Sequence, residues 1–180
     1  MGWEYTQGAT KQDIINAETK TQTVGAVTQT CLDKALNGAR LWTVFEHTYS
    51  DGRPAKRIIC LFLLENHAGF GWGYKDLDES CGPIDDDCPL RMLDMVPDPG
   101  GYATAWRERV RQYHAKQAAG RHMAKSLMPG VTVRLGEAYG RRTFVIRERN
   151  KTKIYAAEVT TGRMFQLPPK ALQDAEIVTA

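Results

Sequence analysis

The sequence predicts an α+β fold: an N-terminal antiparallel sheet with flanking helices, then a long helix and a small C-terminal β-barrel. Three observations predict it. Residues 24–75 hold apolar and alternating runs separated by turn signals. Residues 102–127 place apolar side chains at helical spacing, and the last fifty residues hold five short strand-like runs. The expected division is residues 1–128 and 129–180, and 180 residues suffice to bury a core without staples.

Thr10-Lys11-Gln12-Asp13 reads as a helix start, with Thr10 capping a free N–H and Asp13 in the first turn, over about residues 11–21. Ile14, Ile15 and Ala17 fall toward its buried side. The Val- and Thr-rich stretch Val24–Leu36 reads as a strand, and Asn37-Gly38 as a hairpin turn. From Ala39 to Tyr49 the residues alternate, with Leu41, Thr43, Phe45 and His47 on one face and Trp42, Val44, Glu46 and Thr48 on the other. Lys56–Glu65 is nearly all apolar, as for a central strand covered on both faces. Gly69–Tyr74 interleaves glycine with aromatics, the pattern of an edge or bulged strand where another backbone approaches closely. Residues 76–100 form an acidic, proline-rich loop in which residues 88–95 can make a short helix.

The long helix is expected over about 102–127. At 100° per residue Tyr102, Trp106, Val110 and Tyr113 share an arc of about 80°, with Ala124 and Met128 in or near it. Arg107, Arg111, His114, Arg121 and Lys125 share a second arc of about 80°, a basic stripe. Gly120 is a weak point, where the helix either continues at a cost of about 1 kcal/mol or divides. Short strands then follow at 131–135, 143–149, 153–160, 163–167 and 176–179. Leu167–Leu172 before the last of them resembles the single helical turn that precedes the final strand of SH3-like barrels.

Composition narrows the function. Apolar residues are 42% and charged residues 25%, which excludes fibrous, collagen-like and wholly disordered chains. The longest apolar run, residues 58–64, is far short of the roughly 20 residues a membrane helix needs, so no membrane partner is expected. The N-terminal residues lack a basic start followed by an apolar stretch, and the four cysteines match no disulfide framework; a cytoplasmic protein with free thiols is expected. Cys31 and Cys60 read as small core residues, and the Cys81–Cys88 spacing matches no common zinc site. No nucleophile elbow, phosphate loop or other specific catalytic motif is present, and no cofactor is implied. Asp76, Asp78 and Glu79, at a strand end, offer an acidic site for metal-assisted chemistry or a mere cap, and Asp85-Asp86-Asp87 reads as a solvated turn.

Charge is distributed unevenly. Residues 76–98 carry eight acids and one base, net −7; residues 101–160 carry thirteen Lys or Arg and four acids, net +9. Either the acidic segment neutralises the basic one, or a basic surface stays open for an anionic partner. After the helical stripe come Arg134, Arg141, Arg142, Arg147, Arg149, Lys151 and Lys153, with Tyr113, Tyr139, Phe144 and Tyr155 interleaved. Arg107, Arg111, His114, Arg121, Lys125, Arg141, Arg142 and Arg147 are the candidates for nucleic-acid or partner contact.

The stretch Gly71–Pro83, with Cys88-Pro89, Leu93-Asp94, Ala105-Trp106-Arg107 and the opening Met1-Gly2-Trp3, resembles an uncharacterised family carried by phages, plasmids and integrated mobile elements. Cys81 departs from it, standing where methionine is expected. The resemblance implies context rather than catalytic residues: a small non-enzymatic protein in counter-defence or regulation, binding a nucleoprotein complex or a host defence protein. Two further expectations stand beside nucleic-acid contact: a protein-only inhibitor docking its acidic 76–98 loop on a basic host protein, and the metal-assisted enzyme of Asp76, Asp78 and Glu79.

Overall fold

The computed structural model describes residues 2–5, 8–81, 84–151 and 153–178. Met1 and Gly82-Pro83 of the family-like motif, and Thr179 of the expected last strand, lie outside the described residues. Packing divides the chain into two compact units, Met1–Arg111 and Gln112–Ala180. The division falls within the long helix rather than after residue 128, because Met123, Ala124 and Leu127 pack into the C-terminal core.

The first unit contains β1 (Glu4–Tyr5), α1 (Lys11–Glu18), β2 (Gln22–Val24), β3 (Val27–Asn37), β4 (Arg40–Tyr49), β5 (Lys56–His67), β6 (Gly71–Asp78) and α2 (Leu90–Met95). It also holds the start of α3 (Tyr102–Ser126). The strands make one antiparallel sheet in the order β1-β6-β5-β4-β3-β2. Thr10 caps α1 reciprocally with Asp13: its hydroxyl accepts the Asp13 N–H at 3.2 Å, and the Asp13 carboxylate accepts the Thr10 N–H at 2.8 Å. Ile14 and Ile15 are buried, but Ala17 is exposed. The strand expected over Val24–Leu36 is β3, starting at Val27, and a short preceding strand, β2, pairs with it through a turn at Gly25, whose φ of 59° favours glycine.

Both sheet faces are covered. On one, α1 lays Ile14 and Ile15 against Leu41, Phe45, Phe62 and Leu64. On the other, Met92, Leu93 and Val96 of the α2 segment and Trp106 and Val110 of α3 bury Trp42, Val44, Ile59 and Leu61. The two faces of β4 are thus those its alternation predicts, and β5 is the doubly covered central strand. β6 is not an edge, since β1 pairs beyond it. A Cβ on Gly73 would lie 2.7 Å from the Glu4 carbonyl oxygen, so only glycine admits β1 there.

The second unit carries the rest of α3, then β7 (Thr132–Arg134), β8 (Thr143–Arg149), β9 (Ile154–Glu158), β10 (Met164–Leu167) and β11 (Glu176–Val178). A 3-10 turn spans Glu137–Tyr139 and a second, Pro169–Leu172, leads into β11. The order is β10-β9-β8-β7-β11, all antiparallel. Among the described residues β10 and β11 do not pair, so the sheet is open where a closed barrel was expected. Phe144, Ile146, Leu167 and Leu172 form its core with Leu127 of the segment after α3.

α3 continues through Gly120 without a break. A Cβ there would come within 2.4 Å of the Pro169 carbonyl oxygen and 2.9 Å of Gln173 Cγ, so the glycine admits the 3-10 turn against the helix. No helix among the described residues is long and apolar enough to cross a membrane.

Candidate functional site

The buried stripe of α3 keeps Trp106 and Val110 of the expected one, loses Tyr102 and gains Arg107. Tyr102 is 76% exposed and Met128 58%, while Ala103, Trp106, Arg107 and Val110 are buried. Arg107, expected on the basic face, is 2% exposed. Its Nε donates to Glu79 Oε2 at 2.7 Å and its Nη2 to Glu79 Oε1 at 3.0 Å, a two-point pair with a carboxylate that is itself 1% exposed. Nη1 donates to the Val96 carbonyl at 2.7 Å and Nη2 also to that of Pro97 at 3.2 Å, while Glu79 Oε1 accepts the Ile59 N–H at 3.3 Å. A periodicity count weighs hydrophobicity alone and places an arginine outside; the buried carboxylate is what admits it. Arg107 therefore offers nothing to a partner.

The remaining acids of residues 76–98 are also largely engaged at home. Asp78 Oδ1 caps the N–H and hydroxyl of Ser80 at 2.7 and 2.5 Å. Asp85 pairs with Arg40, and its carbonyl accepts the Trp106 indole N–H at 3.0 Å. Asp86 takes Arg109 at 3.1 Å, and Asp87 accepts the Trp42 indole N–H at 3.2 Å and the Asn37 amide at 2.6 Å. Asp85-Asp86-Asp87 is thus a bracket across the sheet and helix of its own unit, not the solvated turn expected. Asp98 accepts from the Gly100 N–H and the Thr104 hydroxyl, both at 2.9 Å, at the start of α3. Among the described residues no three His, Cys, Asp or Glu side chains gather as a metal site. Glu79 is committed to Arg107, so the trio Asp76, Asp78 and Glu79 is not one cluster. Burial, with Glu79 nearby, pushes the Cys88 thiol up to about 12; all four cysteines are free thiols.

The other basic candidates separate by partner. Arg111 is exposed, 3.9 Å from Glu108. His114 is half-buried, edge-on to Tyr113. Arg141 reaches Glu137 at 2.5 Å. Arg142 lies over the Phe144 and Phe165 rings at 5.3 and 4.8 Å, and its Nε donates to Glu158 at 2.5 Å. Bonds from Arg142 and the Thr161 hydroxyl hold the Glu158 carboxyl down at about 2. Arg147 is exposed where β8 slips register against β9.

Arg121 and Lys125 meet three cations that the basic stripe did not include. The hairpin between β8 and β9 brings Arg149, Lys151 and Lys153 beside them, around a cleft of about 170 Å³. Asn150, Ala124, Ile154, Leu167 and Pro169 complete its lining, and Ile154 and Leu167 are each 5% exposed. Among the described residues none of the five cations forms an ion pair with a carboxylate. The walls are braced by neutral groups instead. Arg149 Nη1 donates to the Leu127 carbonyl just past the helix end at 3.4 Å, and Asn150 Oδ1 accepts the Lys153 N–H at 2.8 Å across the turn. The sequence signal was the Arg-Asn-Lys-Thr-Lys run at residues 149–153, whose nearness to the helix only the fold establishes. No family model, curated protein or solved structure matches the chain.

Proposed function

We propose that this chain is a non-enzymatic, cytoplasmic binding protein of a mobile genetic element, which contacts nucleic acid or a nucleoprotein complex through the cationic cleft of its second unit. The observation that carries the reading is the set of five Lys and Arg side chains converging on one cleft with no carboxylate partner among the described residues. Like charges gathered without internal compensation cost self-repulsion, which a polyanion relieves. Residues 112–180 carry twelve Lys or Arg against five Asp or Glu, net +7, which adds a long-range attraction to the same partner. The counter-defence or regulatory role rests on the family-like residues around Gly71–Pro83 and Trp106-Arg107. We read the second unit as an SH3-like small barrel. In support, the last strand lies beside the first and follows a 3-10 turn.

The test is binding of labelled duplex and single-stranded DNA and RNA at two salt concentrations. Five phosphate contacts give a slope of log affinity against log salt of about −3.5 for single strands and −4.5 for duplex. A fourfold rise in salt then weakens binding by a factor on the order of one hundred. Arg121→Glu with Lys125→Glu should flatten the single-strand slope by about 1.4. No binding at low salt, or binding indifferent to that double change, sinks the proposal.

A further inference from the structure

We infer that the cleft seats one unpaired nucleotide, so that the favoured ligand is a single strand rather than a duplex; this deepens the reading above and rests on it. Size is the first argument. Ligand pockets for drug-sized molecules run from about 300 Å³ upward, and this cleft offers about 170 Å³. That volume suits one planar heterocycle rather than a stack of base pairs.

The lining is the second argument. The lining combines aliphatic carbon, from buried Ile154 and Leu167 with Ala124 and the Pro169 ring, with five cations and the Asn150 amide. An unpaired nucleotide has the same two parts, an apolar base face and a charged phosphate on either side. A duplex keeps its base faces inside the stack and presents phosphates, sugars and base edges, which leaves an aliphatic surface without a base face to cover it.

The third argument is bracing. Gly120 lets α3 touch the Pro169–Leu172 turn, while Arg149 bonds the Leu127 carbonyl and Asn150 the Lys153 N–H. A preformed cleft loses little entropy on filling. Its lining contains no aromatic ring, so a base rests on aliphatic carbons and the guanidinium planes of Arg121 and Arg149. Recognition of that kind follows the apolar face common to all bases and is tolerant of sequence.

The experiment measures fluorescence anisotropy at low salt with four probes of equal length, about twelve units, within the span of known single-strand sites: oligo-dT, oligo-U, an abasic deoxyribose-phosphate strand and a duplex. The expected result is that the two base-bearing strands bind about tenfold tighter than the abasic strand and the duplex. Ala124→Leu, which narrows the cleft without adding an aromatic platform and keeps every charge, should abolish that preference, whereas Lys20→Glu in the other unit should leave it intact. Ultraviolet crosslinking of 4-thiouridine in the oligo-U to the unaltered protein reads the site without any variant, and the crosslinks should map to residues 149–154 and 167–169. Equal affinity for all four probes overturns the inference while leaving the proposed function standing. Crosslinks confined to other segments overturn both the inference and the assignment of the contact to this cleft. Tighter binding of an oligoglutamate peptide than of oligo-dT replaces the nucleotide with a protein partner and overturns the inference too. Failure of every nucleic-acid probe at low salt removes both readings.

Discussion

The two units handle charge in opposite ways. Residues 1–111 carry sixteen Asp or Glu and twelve Lys or Arg, net −4, yet many of their carboxylates are paired within the unit: Glu79 with Arg107 in the core, and Asp85 and Asp87 with Arg40, Asp86 with Arg109 and Asp33 with Arg91 nearer the surface. Residues 112–180 are net +7, and their pairing with acids is confined to Arg141 and Arg142 among the described residues. The difference teaches that net charge along the chain does not identify an interface. In the first unit charge serves construction, joining loop to sheet and helix; in the second it is left facing outward.

The sharpest way to break this comparison is the buried pair. Removing one partner leaves an uncompensated charge in the core, so Arg107→Met should cost about 3–5 kcal/mol, whereas Arg107→Leu with Glu79→Leu should recover most of it. All four tryptophans, Trp3, Trp42, Trp72 and Trp106, lie in residues 1–111, so denaturant titration followed by tryptophan fluorescence reports this unit. A single-variant loss below about 1 kcal/mol, the worth of an exposed pair, would place Arg107 at the surface and undo the contrast.

Next in size is Gly120→Ala. Alanine gains about 1 kcal/mol of helix propensity, but its Cβ meets the Pro169 carbonyl oxygen at 2.4 Å. Overpacking against rigid backbone costs about 1–3 kcal/mol, so the net effect is loss of stability in the second unit. Hydrogen exchange at Phe144 and Ile146 amides should quicken more than at Ile59 and Leu61. A rise in stability would show that the helix and turn are not held together as described.

The smallest effect is acid sensitivity in the second unit. Glu158 sits at about 2 when folded against an ordinary 4.5, so its contribution is complete above 4.5 and disappears as pH falls from 4.5 through about 2. Circular-dichroism melts across that window should show a fall that Glu158→Gln removes. An identical pH profile for the two proteins would mean that the Arg142–Glu158–Thr161 cluster contributes nothing to folding.

Much of the architecture was legible because it is written in local patterns. The Thr10 cap, the Asn37-Gly38 turn, the two faces of β4 and the doubly covered β5 all follow from spacing. The turn at Gly25 is not legible because Val and Thr continue on both sides of it, from Gln22-Thr23-Val24 to Val27-Thr28, so only the glycine marks the hairpin. The candidate site was much less legible. Of the eight basic residues singled out, Arg121 and Lys125 reach the cleft, and Arg149, Lys151 and Lys153 join them from a hairpin more than twenty positions away.

Hydrophobic periodicity and turn chemistry, both properties of neighbours in the chain, determined where strands and helices begin and end. The tertiary structure alone decided which charges stay available. Whether an arginine is a core strut like Arg107 or a rim cation like Arg121 depends on a carboxylate brought to it, or withheld, by residues far away in sequence.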